Sequence, residues 1–228
     1  PDTAINTRHD PRINEYSSQV PAPVHGLNEV IGYSAIDLSM DKDKWWTVSE
    51  YPWAATNSAG AWITDTMAWK AGQLGYPVDL AIQSGGGIRR DIASGPVTYI
   101  EIYECYPWSD DNMVRVQMTG QEIWNWIQET NLGTSISEGW MINAHDGVIS
   151  SITYQGNPIN LAGTYNVAIS EYMFAHPEIS LSDTTPEDLG YSIREGVVDY
   201  TRQFTTTANP VVTCGVTTVT WSPAFRPS

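Results

Sequence analysis

Residues 57–87 change period once, and that change restricts the chain to folds in which a helix feeds a strand. Behind Asn57, the residues Ala59, Ile63, Met67, Ala71 and Leu74 recur at helical spacing, and Gly75 supplies a stop. PVDLAIQ follows as a short apolar strand that ends in three consecutive glycines, Gly85, Gly86 and Gly87. Helical and strand patterns go on interleaving. GYSAIDLS (32–39), VTYIEIY (97–103) and VRVQM (114–118) are expected as strands, and TGQEIWNWIQE (119–129) as a helix behind a Thr119/Glu122 capping box. ISSITYQ and TYNVAIS are expected to form a hairpin. A second capping box, Ser192 with Glu195, introduces a last helix carrying Ile193, Val197, Tyr200 and Phe204. This order predicts a mixed α/β (α+β) fold, a single compact domain whose mixed sheet is flanked by helices. The domain is expected over 31–205, with 1–30 an irregular lead-in or linker and 206–228 a Thr-rich C-terminal extension.

The glycine run gives up side-chain packing, which a chain does for a tight turn or to let a ligand approach its backbone. Arg89 and Arg90 stand beside it, and their forked donors suit carboxylate or phosphate. The plain alternative is a flexible turn with two solvated arginines. Charge bears on the choice, since 11 Lys and Arg face 26 Asp and Glu for a formal net charge of −15. Such a field repels polyanions and argues against a nucleic-acid partner, so a cationic pair beside a glycine loop is a local exception suited to a small anion.

Ten Trp and twelve Tyr supply rings fit for the core or for stacking on a ligand. No run of about 18 apolar residues exists to span a membrane. The chain opens on Pro1 rather than Met, as expected of a processed or excised product. Cys105 and Cys214 make an even pair, compatible with a disulfide or with two buried thiols. Metal-ligand spacing is weak throughout. Asp37, Asp41 and Asp43 lack the glycine and terminal glutamate of a calcium loop and are expected as a solvated acidic turn. His9, His25 and His176 are scattered. INAHDG (142–147) has the outline of a phosphoesterase metal motif without its glycine or an accompanying D-x-H. No nucleophile elbow or Cys/His pair appears, so no catalytic set and no metal site is expected within the chain.

Four stretches together resemble the C-terminal, substrate-binding domain of the 5′-nucleotidase family: NSAGAWITDTM, AIQSGGGIRRDIASGPVT, ECYPWSDDNMVRVQMTGQEI and GNPINLAGTYNVAISEYM. They stand in the family's order between about 50 and 175. The resemblance implies a domain that holds the nucleoside part of a nucleotide or nucleoside. An N-terminal metallophosphoesterase domain of the same parent chain would carry a divalent metal pair and the hydrolysis. It implies no cofactor in this chain, and a periplasmic or extracellular location. Arg89 falls at the family's ribose- and phosphate-contacting arginine, Trp108 at the aromatic that stacks on one face of the base, and Tyr172 at the second stacking aromatic. With Ser84 and Gly85–Gly87 these form the expected substrate-binding set.

The sequence departs from the family at three places. Ser84 replaces an asparagine before the glycines, Trp53 stands where an arginine precedes the helix aspartate matched by Asp65, and AHPEISLSDTT replaces a G-G-D-G segment whose Asp binds the ribose hydroxyls. The expected function is therefore that of a nucleotide- or nucleoside-binding specificity domain of a 5′-nucleotidase-like hydrolase. The alternative is a non-catalytic extracellular structural or interaction module that kept the fold and lost the ligand.

Overall fold

The computed structural model describes residues 26–39, 58–130, 133–145, 148–211 and 216–220. The helix expected behind Asn57 is α1 (Ser58–Gln73). Gly75 closes it with φ +86°, a left-handed conformation that glycine adopts without a Cβ penalty. The chain then enters β2 (Leu80–Ser84), β1 (Val30–Ser34) having preceded the helix.

A five-stranded sheet is the centre of the molecule. Its order is β10 (Glu187–Ser192), β4 (Asn112–Thr119), β9 (Thr164–Ser170), β2 and β5 (Thr134–Ile136). The β2/β9 pair is parallel and the other pairs are antiparallel, which makes the sheet mixed. Strand alternation sorts its side chains between two cores. Leu80, Ile82, Val114, Val116, Val167 and Ile169 face α3 (Gly120–Glu129) and a second sheet. Ala81, Met113 and Ala168 face α1 and α5 (Ile193–Thr201), where the two alanines leave room for helices to lie close. Each fully buried Leu or Ile contributes about 1.5–3 kcal/mol. The second sheet runs β11 (Val216–Thr220), β6 (Trp140–His145), β7 (Val148–Tyr154) and β8 (Asn157–Pro158).

Three local expectations are corrected. Residues 97–103 are not one strand: β3 (Gly95–Thr98) pairs with β1 and then gives way to α2 (Tyr99–Cys105). Tyr99, Ile102 and Cys105, three apart, are the residues that α2 buries, and the Glu101 carboxylate accepts from both the N–H (2.8 Å) and the hydroxyl (2.7 Å) of Thr98. The expected hairpin of β7 with β9 does not form. β7 pairs with β6 and β8, whereas Val167, Ala168 and Ile169 of β9 are all buried and can be accommodated only in a strand covered on both faces. Finally, α5 starts where Ser192 predicted, but the capping box is not made. The Ser192 hydroxyl is buried without a partner, and Glu195 turns instead to the Tyr99 hydroxyl at 3.4 Å.

Described parts of the Thr-rich end join the domain. Val211 is fully buried and bonds to Tyr33 O (2.7 Å) and Ala35 N (3.1 Å), while β11 runs parallel to β6.

Glu101→Ala is expected to lower stability by about 1 kcal/mol, the usual worth of a helix cap. Urea denaturation checks this, and an unchanged midpoint would count against the cap.

Candidate functional site

Strand direction brings the expected site residues to one edge of the sheet. β2 and β9 are parallel neighbours, so Ser84 and Ser170 both end strands at that edge. β4 runs the other way and begins there, with Met113 opposite Ser170, and Ser192 at the end of β10 lies opposite Asn112. The glycine loop, the turn before β4, the residues after β9 and the start of α5 therefore meet, as ligand-binding loops do at strand ends in α/β sheets.

Gly85–Gly87 form a single 3-10 turn. The Ser84 hydroxyl accepts the Gly86 N–H at 3.2 Å, and the Gly85 N–H donates to Gly133 O at 3.1 Å. None of the three has a positive φ, so the run is not explained by left-handed backbone. Space explains Gly87, where a Cβ would stand 3.3 Å from the Tyr106 ring. Beyond the turn the Arg89 N–H donates to Cys105 O at 2.8 Å, fastening the loop to the end of α2.

Trp108 lies against this loop. Its indole N–H donates to Gly87 O at 2.8 Å, the ring is 39% exposed, and the Arg89 guanidinium carbon sits 5.0 Å from the ring centroid, within cation–π range. Arg90 turns away to pair with Glu104 on the exposed face of α2. Ser84, Gly85, Gly86, Gly87, Arg89 and Trp108 thus form one group. Tyr172 is the second residue of the short helix α4 (Glu171–Ala175) beyond β9; it is 65% exposed and its ring stacks on His176 at 4.6 Å and 30°.

What joins Tyr172 to the loop is a set of side chains that the sequence did not single out. The Asp111 carboxylate accepts the Tyr172 N–H (3.3 Å) through Oδ1 and the Tyr106 hydroxyl (2.6 Å) through Oδ2. Tyr106 accepts in turn from Gln83 Nε2 at 2.7 Å, and Gln83 Oε1 accepts the Ser84 N–H at 2.7 Å. Gln83 and Tyr106 are only 2% and 1% exposed. Burial, and after it the charge of Asp111, holds the Tyr106 hydroxyl well above the usual tyrosine range, so it stays a neutral donor. From α5, Arg194 donates to Pro107 O (3.0 Å) with its guanidinium carbon 3.8 Å from the Tyr103 ring centroid. A polar residue in strand-end position and a tyrosine before Pro107 were the available signals. Neither shows its partner without the fold.

The segment that replaces G-G-D-G is anchored on the chain itself. Asp183 accepts the Gln117 N–H (2.8 Å) and the Thr185 N–H (2.9 Å), while the Ser182 N–H donates to Glu122 (2.6 Å). Cys105 is a fully buried thiol, pushed up to about 12 by burial first and by Asp91 second. Cys214, with which it would either bridge or remain one of two buried thiols, lies outside the described residues, as do Asp41, Asp43, Trp53, His9, His25, Asp146 and Gly147. Asp37 accepts the Ser94 N–H at 2.8 Å. Among the described residues no three His, Cys, Asp or Glu side chains are arranged to hold a metal ion.

A mixed sheet with helices and a second sheet on its faces, and a glycine loop at the strand ends with an aromatic and an arginine beside it, define a mixed α/β domain with these groups gathered at one sheet edge. The profile of the 5′-nucleotidase, C-terminal domain matches residues 45–178, more than half of the chain, and the chain belongs to that family. Protein UshA of Escherichia coli (strain K12) is 28% identical over 96 residues, which are 40% of this chain and 17% of that protein. The crystal structure of a 5′-nucleotidase precursor from Thermus thermophilus superposes with a TM-score of 0.69 at 20% identity, over 93% of this chain and 41% of the other. The structure of Haemophilus influenzae NAD nucleotidase gives 0.63 at 16%, over 86% and 39%. The chain therefore spans less than half the length of these relatives.

Two outcomes follow from the burial and hydrogen bonding. In a Cys214→Ser variant the remaining thiol should stay unreactive toward a disulfide reagent until the chain is unfolded; rapid native reaction would contradict its burial. The donation from Gln117 holds the Asp183 carboxyl below the usual range against partial burial, with Thr185 adding to it. A depressed folded pKa stabilises above the unfolded value, about 3.9 for Asp, and that stabilisation is lost as pH falls through the folded value. The stability gap between wild type and Asp183→Asn should hold at neutral pH and shrink below about pH 4. Urea midpoints at several pH values measure it, and a gap that widened in acid would refute the assignment.

Proposed function

We propose that this chain is the nucleotide- or nucleoside-binding specificity domain of a 5′-nucleotidase-like metallophosphoesterase, a hydrolase of nucleotide catabolism. The divalent metal pair and the hydrolysis of the phosphate ester would reside in an N-terminal domain outside these 228 residues. This domain's part is to hold and orient the leaving nucleoside. The same reading places the protein in the periplasm or outside the cell; no helix among the described residues is long and apolar enough to cross a membrane.

The observation that carries the reading is the exposed Trp108 ring, fixed by its indole N–H to Gly87 O and faced by the Arg89 guanidinium. A base stacks on the indole face that Arg89 leaves open, and Arg89, already at the ring, supplies the charge-assisted donors for ribose or phosphate. Tyr172 supplies the second aromatic surface at the same sheet edge.

The competing reading, a non-catalytic module that lost its ligand, draws on one feature. Both rings already have a partner in the chain, Arg89 for Trp108 and His176 for Tyr172, and Asp183 serves the anchoring of its own segment. Calorimetric titration of the chain with adenosine and AMP separates the two. Trp108→Ala should weaken both ligands about 5- to 150-fold, the worth of one stacked base. Arg89→Ala should weaken AMP more than adenosine. Absence of binding by the wild-type chain decides for the competing reading.

A further inference from the structure

Resting on that reading, we infer that Tyr106 and Asp111 are positioning residues that set the Tyr172 stacking surface relative to the glycine loop. Neither is needed to touch the ligand. The two aromatic surfaces differ in how firmly they are held. Trp108 is tied directly to the loop by its bond to Gly87 O, whereas the Tyr172 ring is 65% exposed and stands on a helix of five residues. A ring so placed presents a defined face only if its backbone is held.

The Tyr172 carbonyl accepts the His176 N–H at 3.0 Å within the helix, and its N–H is tied toward the glycine loop by Asp111, whose two oxygens are divided between Tyr172 and Tyr106. Tyr106 is the fixed end of this chain of bonds. Its ring packs on Gly87 and its hydroxyl is fed by Gln83, which in turn takes the N–H of Ser84. The main chain of Asp111 is held as well, because its carbonyl accepts the Ile193 N–H at 3.1 Å at the start of α5. One continuous path, from Ser84 through Gln83, Tyr106 and Asp111 to Tyr172, therefore links the end of β2 to the residue after β9. Gln83 and Tyr106 are its buried members, and a hydrogen-bonded network fixes geometry more sharply than apolar contact, because each member loses a partner if it moves.

The test is a double-mutant cycle on the full chain, read by adenosine titration. Tyr106→Phe keeps the ring against Gly87 and removes only the hydroxyl. It is expected to weaken adenosine about 2- to 12-fold, the range of one hydrogen bond. In a Tyr172→Ala background, which retains the backbone N–H but has no ring to position, Tyr106→Phe should change affinity little. Asp111→Asn, which cannot accept both bonds through carboxylate oxygens, should show the same dependence on Tyr172 and serves if Tyr106→Phe does not fold. Equal losses with and without the Tyr172 ring would show a merely structural role and overturn the inference. Failure of the wild-type chain to bind adenosine would overturn the functional reading together with it, so the two failures are distinguishable.

Discussion

The parallel pairing of β2 with β9 is the constraint on which the site depends. Two parallel neighbours end at the same edge, and Leu80 and Ala81 opposite Val167 and Ala168 fix their register. An antiparallel arrangement would send the glycine loop and Tyr172 to opposite ends of the sheet. Parallel strands require a long crossover, and the chain supplies one that includes α2, β4, α3 and the strands β6–β8 of the second sheet before β9 is laid down. The site is thus assembled from segments far apart in the sequence, and Tyr172 reaches the edge of the glycine loop only through that crossover.

Around this edge the molecule divides its polar and apolar work. Large side chains of β2, β4 and β9 fill the core beneath α3 and the second sheet, while small ones admit α1 and α5 on the other face. The polar exceptions, Gln83, Tyr106 and Arg194, are buried at the site edge and each has a defined partner there. A buried polar group costs free energy unless it is hydrogen-bonded, and where bonded it helps to specify one arrangement. Arg194 reaches Pro107 from an element far downstream, so α5 supports the turn that presents Trp108 although it contributes no residue to the expected substrate set.

The same edge also accounts for how the chain departs from its family. Ser84 is shorter than the asparagine it replaces, yet its hydroxyl still serves the glycine turn, accepting the Gly86 N–H. The residues after Tyr172 carry an Asp, but Asp183 is committed to Gln117 and Thr185. In the proposed recognition, polar contacts to a ligand would therefore fall mainly to Arg89, and stacking would carry a larger share.

Local pattern in the sequence determined α1, α3, the strands β2 and β4 and the glycine turn, because periodicity and capping residues act without help from the rest of the chain, whereas the grouping of Arg89 with Trp108 came from the family resemblance. The Thr98/Glu101 cap was equally legible and marked α2, but the alternation of Val97, Tyr99 and Glu101 hid it. Tertiary structure alone decided the partners of β7 and β9. Both are apolar strands of similar length, and only burial on two faces against burial on one separates them. It likewise decided the fate of Ser192, whose side chain loses its cap when Glu195 finds Tyr99, and the roles of Tyr106, Asp111 and Arg194. A hydrogen bond between residues far apart in sequence leaves no local period, so the chain that joins the glycine loop to Tyr172 exists only once the strands have set those residues side by side.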